Sequence, residues 1–471
     1  MNLIDPAIVA SDVHTISDEL AHFSLELTSS AIPQRIRERA KHLILDAVGT
    51  ALAARRYEFA DVALSGLSEL APGHSPIIGI GRRLAPREAA IMNGVLMHGL
   101  DYDDTHSRGV IHATVSSFPC VFSLADKLDI DGDAMLTAYV AAMEVSTRLG
   151  AVAKGGFHQV GFHPTGLIGA FGATLAASRL LGLNVERAVM AQGIALSMAS
   201  GSLEFLEDGA WTKRIHLGWA ASVGITAATL AKHGYVGPRA AYEGRFGLFA
   251  SHLGNLTKTI DIGLATEGLA RSWQIEEVSL KPFPACHFTH AAIDAALALH
   301  RKGAAKVGDI AEVTVLVPAD VVKTVCEPVA NKQTPANSYD AQFSIPYLVG
   351  TALLRGRFTL DELEPEAIGD PATLALAKRI NYEVDPASTF PRHYTGEVVV
   401  KLKSGEVLHQ REAVNRGNAE RPLGNDEIVE KFLNNGTPAV GRDAAQKIRD
   451  AVLALDKSPA RKLASVLGDE G

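Results

Sequence analysis

The sequence predicts a mostly α-helical protein with a smaller α+β part in its C-terminal half. Apolar residues recur at helical spacing through roughly the first 265 residues, and no stretch there alternates long enough to indicate a sheet. Alternating apolar runs appear only later, around 310–317 and 398–407. Of the 471 residues, 47% are hydrophobic and 21% charged, so the chain is long enough for two or three globular domains.

The first part of the chain is predicted to be a succession of helices. Pro33 suits the first turn of a helix, and apolar residues follow it at helical spacing as far as Ala51. The stretches 165–183 and 217–231 are dense in Gly and Ala, which lets helix backbones approach closely, so we expect them to be central helices. Further helices are predicted at 59–70, from Pro86 onward and at 134–149.

The α+β part begins near residue 270. The run 310–317 indicates a strand, and the turn Lys403-Ser404-Gly405 between apolar runs indicates a β-hairpin. Two helices are also predicted in this part, at about 289–301 and 344–354. Helical spacing returns from Asn425, which indicates that the last helices rejoin the first domain and that the α+β part is an insertion. The predicted parts are a helical domain at 1–268, an α+β lid domain at 269–412 and returning helices at 413–471.

Composition excludes several classes of function. The net charge of -8 argues against non-specific binding to nucleic acid, which requires a basic face. No basic segment followed by an apolar one opens the chain, and the most apolar stretches are too short to span a membrane, so we expect a soluble cytoplasmic protein. The cysteines are too few and scattered for a disulfide framework, and no CxxC motif occurs.

The stretch from Met97 to Ala113 is the first candidate for a reactive site. It brings acids and histidines close together behind an apolar helix: Asp101, Asp103, Asp104, His106 and His112. Loops on rigid scaffolds often carry reactive side chains. The alternative is an ordinary helix end with acidic caps. Two histidines with carboxylates can ligate a metal, but their spacing matches no closed metal site, so no metal site is predicted.

Three later stretches place further polar residues beside predicted helix starts. Residues 157–165 carry two histidines, 211–216 carry Lys213 and Arg214 ahead of a nearly uncharged helix, and 281–290 combine a lysine, a thiol and two histidines. Helix N-termini bind anions well, so these places suit a carboxylate ligand. Packed structural histidines and a surface Lys-Arg pair are the alternatives.

Five strings in the same order resemble the MmgE/PrpD family, whose members include 2-methylcitrate dehydratase, cis-aconitate decarboxylase and an iminodisuccinate epimerase. The strings are LDYDDTH at 100–106, FHPTG at 162–166, WTKRIHLGWAA at 211–221, KPFPACHFTHAAIDA at 281–295 and YDAQFSIPY at 339–347. The resemblance implies a helical domain made from both chain ends, an inserted α+β lid and a homodimer. It also implies that no cofactor is used and that the substrate is a small di- or tricarboxylate.

The resemblance also marks individual residues as functional. The family pattern falls on Asp101, Thr105, His112, His163, Lys213, Lys281 and Tyr347. Cys286 stands where the vertebrate decarboxylases have His, and His287 follows one position later. The decarboxylase reading is weakened by this departure, because the acid that reprotonates the product differs. Cys286 and His287 are therefore expected to contact substrate, and which of the two acts as an acid stays open.

These residues suggest a mechanism of proton removal next to a carboxylate. Lys213 and Lys281 are expected to neutralise the substrate carboxylates, which an enediolate-like intermediate requires. His112 is the expected base, with Asp101 fixing its tautomer. His163 or Tyr347 is expected to protonate the leaving group. A hydro-lyase is the first expectation, followed by an epimerase or racemase and a decarboxylase, with a non-enzymatic carboxylate-binding dimer as the remaining alternative.

Overall fold

A computed structural model describes residues 14–303, 307–390 and 392–468. The chain folds into two compact units. Unit 1 contains the described residues up to Gly99, residues 103–278 and those from Ile428 onward. Unit 2 contains Leu100–Tyr102 and Ser279–Glu427, so its main segment begins at 279 and ends at 427, whereas the predicted lid ran from 269 to 412.

Unit 1 is mainly helical, and its helices come from both ends of the chain. The helices of its larger part are α1 Ile16–Glu26, α2 Gln34–Ala54, α3 Glu58–Leu70, α4 Pro86–His98, α5 Thr114–Leu128, α6 Gly132–Val152, α7 Gly156–Gln159, α8 Pro164–Leu180, α9 Val185–Leu196, α10 Phe205–Asp208, α11 Thr212–Lys232 and α12 Leu248–Leu253. The C-terminal helices are α20 Asn425–Val440, which begins in unit 2, α21 Arg442–Leu453 and α22 Ala460–Gly468. Each helix predicted in this part is therefore present within a few residues of its predicted limits.

The glycine-rich helices α8 and α11 are central, as predicted. A Cβ atom on Gly218 of α11 would lie 2.2 Å from the Ile91 carbonyl oxygen of α4, and one on Gly224 would lie 2.5 Å from the Ala173 carbonyl carbon of α8. Only glycine permits helix backbones to approach so closely. This tight packing gives unit 1 a rigid frame for the loops at the ends of α4, α8 and α11.

Unit 1 also contains strands that the sequence did not predict. β1 (Pro72–Ile77) and β2 (Ile80–Leu84) form an antiparallel hairpin, and β3 is the two-residue segment Thr105–His106. The expectation that the first 265 residues contain no sheet was therefore wrong at this hairpin. Strand β2 alternates too briefly to stand out, with Ile80 and Leu84 as its apolar residues.

Unit 2 is an α+β structure. The strands are β4 Val278–Ser279, which begins in unit 1, β5 Ile310–Val317, β6 Ile380–Val384, β7 Gly396–Leu402 and β8 Val407–Glu412. The principal sheet has the order β6-β5-β7-β8, in which β5 pairs in parallel with β6 and antiparallel with β7. The helices are α13 His290–Arg301, α14 Val322–Val325, α15 Val329–Gln333, α16 Ser338–Gln342, α17 Ile345–Arg355, α18 Pro365–Ile368 and α19 Pro371–Ala377. The predicted strand, hairpin and two helices are all confirmed.

Two expectations about chemistry and environment can be compared with the structure. Among the described residues, Cys120, Cys286 and Cys326 form no disulfide bond. None of the described helices combines the length and the apolar character that a membrane crossing needs.

Candidate active site

The segment that leads into α5 is anchored by Asp104. Its carboxylate accepts hydrogen bonds from the Thr114 hydroxyl at 2.8 Å and from the Thr114 backbone N–H at 3.3 Å, where α5 begins. Asp104 is buried, and this burial, together with the charge of the adjacent Asp103, raises its pKa to about 7. Asp104 thus satisfies an N–H group of the first helical turn and fixes the start of the segment that carries His112.

Three imidazoles of unit 1 come together beside this segment. His98 ends α4, His112 precedes α5 and His163 precedes α8. Their ring centroids lie 4.7 Å apart for His98 and His112, 5.9 Å for His98 and His163 and 6.2 Å for His112 and His163. We call these three residues the imidazole cluster. His98 and His163 are buried, whereas the side chain of His112 keeps 13% exposure.

Asp103 connects two members of the imidazole cluster. One of its carboxylate oxygens lies 2.9 Å from Nδ1 of His98, and the other lies 3.2 Å from Nδ1 of His112. Burial raises the pKa of Asp103, but the two imidazoles outweigh that effect and hold it below the ordinary value. Asp103 is therefore a buried carboxylate anion between two imidazoles, which is the position expected of Asp101 from the sequence.

The hydrogen bonds determine the tautomer of His112. Its Nδ1–H donates to the backbone carbonyl of Asp104 at 2.7 Å, and its backbone N–H donates to the Thr165 hydroxyl oxygen at 2.9 Å. A carbonyl oxygen only accepts, so the proton of a neutral ring is on Nδ1 and Nε2 carries the lone pair. His112 is thus held at both backbone and ring with its basic nitrogen on Nε2.

His98 has the same tautomer for the same reason. Its Nδ1 donates to the Asp103 carboxylate, and its Nε2 is buried and makes no hydrogen bond among the described residues. Burial, with smaller contributions from Lys213 and His112, lowers the pKa of His98 to about 4 although Asp103 acts to raise it. His98 is therefore neutral at pH 7 and presents a buried lone pair.

His163 is paired with a fourth imidazole. Its Nδ1 lies 3.2 Å from Nδ1 of His216 in α11, so one ring donates its N–H to the other. Burial and the positive charge of Lys213 place the pKa of His163 well below its usual value, and the same two causes lower that of His216 to about 4. Both rings are therefore neutral at pH 7 when the site holds no anion.

Lys213 supplies positive charge to this part of unit 1. It lies in the first turn of α11, is partly buried, and acts electrostatically on His98, His163 and His216. The N-terminus of a helix adds a partial positive charge and N–H donors to that of the lysine. The arrangement suits a carboxylate, as expected from the sequence.

In unit 2, Lys281 pairs with Asp101. The lysine is buried, and its Nζ donates to the backbone carbonyl of Asp101 at 2.6 Å and to its carboxylate at 3.0 Å. Asp101 has a left-handed backbone with φ of 51°, a conformation that aspartate tolerates better than most residues. The carboxylate that lies against His112 within unit 1 is that of Asp103, whereas Asp101 was expected there from the sequence.

The remaining predicted residues lie in different surroundings. Thr105 places its hydroxyl 3.5 Å from Nδ1 of His112. His287 accepts a hydrogen bond from the Asn415 amide at 2.8 Å, and the half-buried Cys286 precedes it. Tyr347 is fully buried in the core of unit 2 and donates to the Glu362 carbonyl at 2.6 Å. This placement does not support a proton-transfer role for Tyr347.

Sequence reasoning missed His98 and His216 and gave His106 too much weight. His98 stands inside the stretch from Met97 to Ala113 and His216 inside the string at 211–221, but neither was predicted as a site residue. His106 is fully buried and its Nδ1 accepts the Gly109 N–H at 3.1 Å, which organises the loop. Helical periodicity around Met97 and Leu217 could have placed His98 and His216 at helix ends near the loops.

Comparisons with known proteins bear on the family of the chain. The model of the MmgE/PrpD N-terminal domain matches residues 18–260, and that of the C-terminal domain matches residues 283–457. A cis-aconitate decarboxylase-like protein of Aspergillus oryzae is 28% identical over 94% of this chain and 95% of its own. The human cis-aconitate decarboxylase is 28% identical over 90% of this chain and 88% of its own. The 2-methylcitrate dehydratase of Cupriavidus necator is 25% identical over 90% of each chain.

Proposed function

Because the chain belongs to the MmgE/PrpD family, we propose that it is a lyase that removes a proton next to a carboxylate of a small di- or tricarboxylic acid. The observation that carries the proposal is the contact of His112 with Asp103 and with the Asp104 carbonyl. The names of the relatives, a methylcitrate dehydratase and cis-aconitate decarboxylases, favour a tricarboxylate among these acids. As the resemblance implies, the reaction is expected to need no cofactor.

In the proposed mechanism, Nε2 of His112 takes the proton. The ring becomes an imidazolium whose Nδ1–H stays bonded to the Asp104 carbonyl, 3.2 Å from the Asp103 anion. A buried carboxylate beside an imidazole fixes its tautomer and stabilises the positive charge that develops on it. Asp103 therefore lowers the free energy of the protonated base.

Lys213 is proposed to bind a substrate carboxylate. Removing a proton next to a carboxylate leaves negative charge on that carboxylate and its neighbouring carbon, and a positioned cation stabilises this charge most when water is excluded. Lys213 combines its charge with the N-terminus of α11. Lys281, in unit 2, is proposed to serve a second carboxylate, with Thr105, Cys286 and His287 as further contacts.

His163 is the proposed acid, and the substrate itself prepares it for this role. Burial and Lys213 hold the pKa of His163 low in the free enzyme. A carboxylate bound to Lys213 offsets that positive charge, which raises the pKa of His163 and favours uptake of a proton. The hydrogen bond between Nδ1 of His163 and Nδ1 of His216 can adjust to this change, because His216 can act as its donor or its acceptor.

Dehydration is the first candidate reaction. His112 removes the proton from carbon, the C–H electrons form the double bond, the C–O bond breaks, and the leaving hydroxide takes a proton from His163 to become water. Decarboxylation is the second candidate, because the two relatives at 28% identity carry that name. In that reaction the C–C bond to the carboxylate breaks and carbon dioxide leaves. The electron pair of that bond stays on carbon, which then takes up a proton from an acidic group of the site.

Proton NMR in deuterated water with a panel of hydroxy and unsaturated di- and tricarboxylates tests the proposal. Loss of water, loss of carbon dioxide or deuterium exchange with epimerisation each gives a distinct spectrum. We expect turnover by the native chain, its loss in His112→Ala, and unchanged turnover in His22→Gln, which alters an exposed histidine paired with Glu26. Full activity in a folded His112→Ala protein would exclude His112 as the base, and no turnover of any acid would contradict the proposed function.

A further inference from the structure

We propose that the imidazole cluster, His98, His112 and His163, is also a binding site for a divalent transition-metal ion such as Zn²⁺. One ring nitrogen from each of these side chains lies within 4.8 Å of the other two. All three residues belong to unit 1 and are anchored at helix ends. Neutral imidazole is among the commonest protein ligands for this class of metal.

The distances are close to those that zinc requires. Zn–N bonds of about 2.0–2.1 Å place two donor nitrogens about 3.4 Å apart in tetrahedral geometry. The nitrogens of the cluster therefore need to approach one another by at most about 1.4 Å. Three protein ligands leave the fourth position open to water or to a carboxylate, as in catalytic zinc sites.

The buried lone pair of His98 is an independent observation that points to a ligand. Its Nε2 makes no hydrogen bond among the described residues, although His98 is only 1% exposed. Buried polar atoms normally have a partner, and an unsatisfied one requires an explanation. A metal ion at the centre of the cluster would satisfy this nitrogen.

The groups behind the cluster match those that support metal-bound histidines. Such histidines usually donate their second N–H to a carboxylate or a backbone carbonyl, which fixes the ring and raises its basicity. His98 donates to the Asp103 carboxylate, and His112 donates to the Asp104 carbonyl and lies beside the same carboxylate. His163 has the ring of His216 at its Nδ1.

Local charge both favours and opposes the metal. Asp103 contributes an anion in contact with two of the ligands, His98 and His112, which favours a dication. Lys213 opposes a dication, since its charge acts on the same two rings. This balance predicts that removing the Lys213 charge strengthens metal binding.

Metal binding would inhibit the enzyme, and this consequence rests on the proposed function. The nitrogen of His112 that binds the metal is Nε2, since Nδ1 donates to the Asp104 carbonyl, and Nε2 is also the proposed proton acceptor. A ring bound to zinc through that nitrogen cannot take a proton. We therefore expect zinc to act as a reversible inhibitor that a chelator relieves.

Titration of the full chain, freed of metal by a chelator and dialysed, tests the site. Zn²⁺ binding is followed by calorimetry, and Co²⁺ binding by the visible absorption bands of a tetrahedral site. We expect the native chain to bind one equivalent of Zn²⁺ tightly. The affinity should be at least tenfold lower in His98→Ala and in His163→Ala. It should not change in His22→Gln, the control, which removes a surface His-Glu pair able to bind metal weakly. Equal affinities in the native chain, His98→Ala and His163→Ala would overturn the proposal.

Lys213→Met distinguishes failure of this inference from failure of the proposed function. We expect this variant to bind Zn²⁺ severalfold more tightly and to lose turnover. Circular dichroism and thermal melting establish that each variant is folded before it is titrated. Zinc binding with the expected dependence on His98 and His163, but without turnover of any acid, would retain the site and reject the function. Turnover without such zinc binding would retain the function and reject the site.

Discussion

Asp103 shows how one buried carboxylate controls two imidazoles. It is fully buried and contacts Nδ1 of both His98 and His112. Solvent therefore does not screen the interaction between its charge and His112, the proposed base. Its neighbour Asp104 instead accepts hydrogen bonds from the backbone N–H and the hydroxyl of Thr114, the first residue of α5. Two adjacent aspartates therefore have different roles, one electrostatic and one structural.

We predict that Asp103→Asn lowers kcat by on the order of 10³- to 10⁴-fold, as removal of a base-orienting carboxylate does elsewhere. Asparagine offers one donor and one acceptor group, so it cannot accept from both imidazoles and does not stabilise an imidazolium. Steady-state kinetics across pH measure the effect, because a positioning role changes the pH profile of kcat as well as its size. Asp101→Asn is the matched control, with its main effect on KM through Lys281. A kcat of Asp103→Asn within tenfold of the native value would contradict this role.

Asp104 leads to a prediction about stability and pH. Its pKa is raised to about 7 by burial and by the charge of Asp103, so the folded state keeps a proton that the unfolded chain releases near pH 4. The free energy of unfolding that Asp104 contributes is therefore full below about pH 4 and is lost as pH rises towards 7. Asp104→Asn removes this dependence. Urea denaturation at pH 5 and pH 8 should show the variant gaining stability relative to the native chain at the higher pH, and an equal difference at both values would contradict the assignment.

At the scale of elements, the site depends on how closely α4, α8 and α11 pack. His98 is the last residue of α4, His163 precedes α8, and His216 lies in the first turns of α11. Glycines at the helix crossings bring these ends together, because side chains there would push the backbones apart. The small residues of α8 and α11 therefore contribute to function by placing the imidazoles.

We predict that Gly218→Ala destabilises the chain by about 1–3 kcal/mol, the usual cost of overpacking. The new Cβ would lie 2.2 Å from the Ile91 carbonyl oxygen, and backbone has to move to relieve that contact. Gly66→Ala in α3 is the control, since a Cβ there meets nothing within 4 Å, and helix propensity predicts no loss or a gain of up to about 1 kcal/mol. Chemical denaturation of both variants measures the difference, and equal stabilities would show that the helices do not need this close contact.

At the scale of the whole molecule, several histidines are buried without charge. Burial lowers the pKa values of His98 and His216 to about 4 and that of His106 to about 3. It also holds the pKa of His163 well below its usual value. The unfolded chain takes up protons at these positions near pH 6.5, whereas the folded chain does not. Their contribution to stability is therefore present above about pH 6.5 and is lost as pH falls towards 4.

We accordingly predict that the melting temperature falls as pH is lowered from 6.5 to 5, with proton uptake on unfolding. His106→Gln, which removes a buried histidine outside the imidazole cluster, should reduce that uptake by about one proton. Calorimetry in buffers of different ionisation enthalpy measures the protons directly. Proton release on unfolding in this range would contradict the neutral state of these rings.

The homodimer implied by the resemblance stays a prediction. Light scattering of the protein as it elutes from a size-exclusion column would test it.

Local rules determined much of what the sequence could predict. Helical spacing, Gly-rich packing stretches and the hairpin turn are properties of neighbouring residues, so α2, α8, α11 and the β7-β8 hairpin were predictable. The five strings were sufficient to identify the family. The β1-β2 hairpin was missed because its strands alternate too briefly to be distinguished from a loop.

Only the tertiary structure decided which side chains act on one another. Asp101 and Asp103 are two residues apart and chemically identical, yet their side chains have different partners. Asp101 has a left-handed backbone, and its carboxylate pairs with Lys281. The carboxylate of Asp103 contacts His98 and His112. Tyr347 likewise belongs to a family string but is buried in a core. Sequence determines the periodicity and the chemical groups. The direction of a side chain and its burial depend on contacts between residues that are distant in the chain, and no local pattern contains that information.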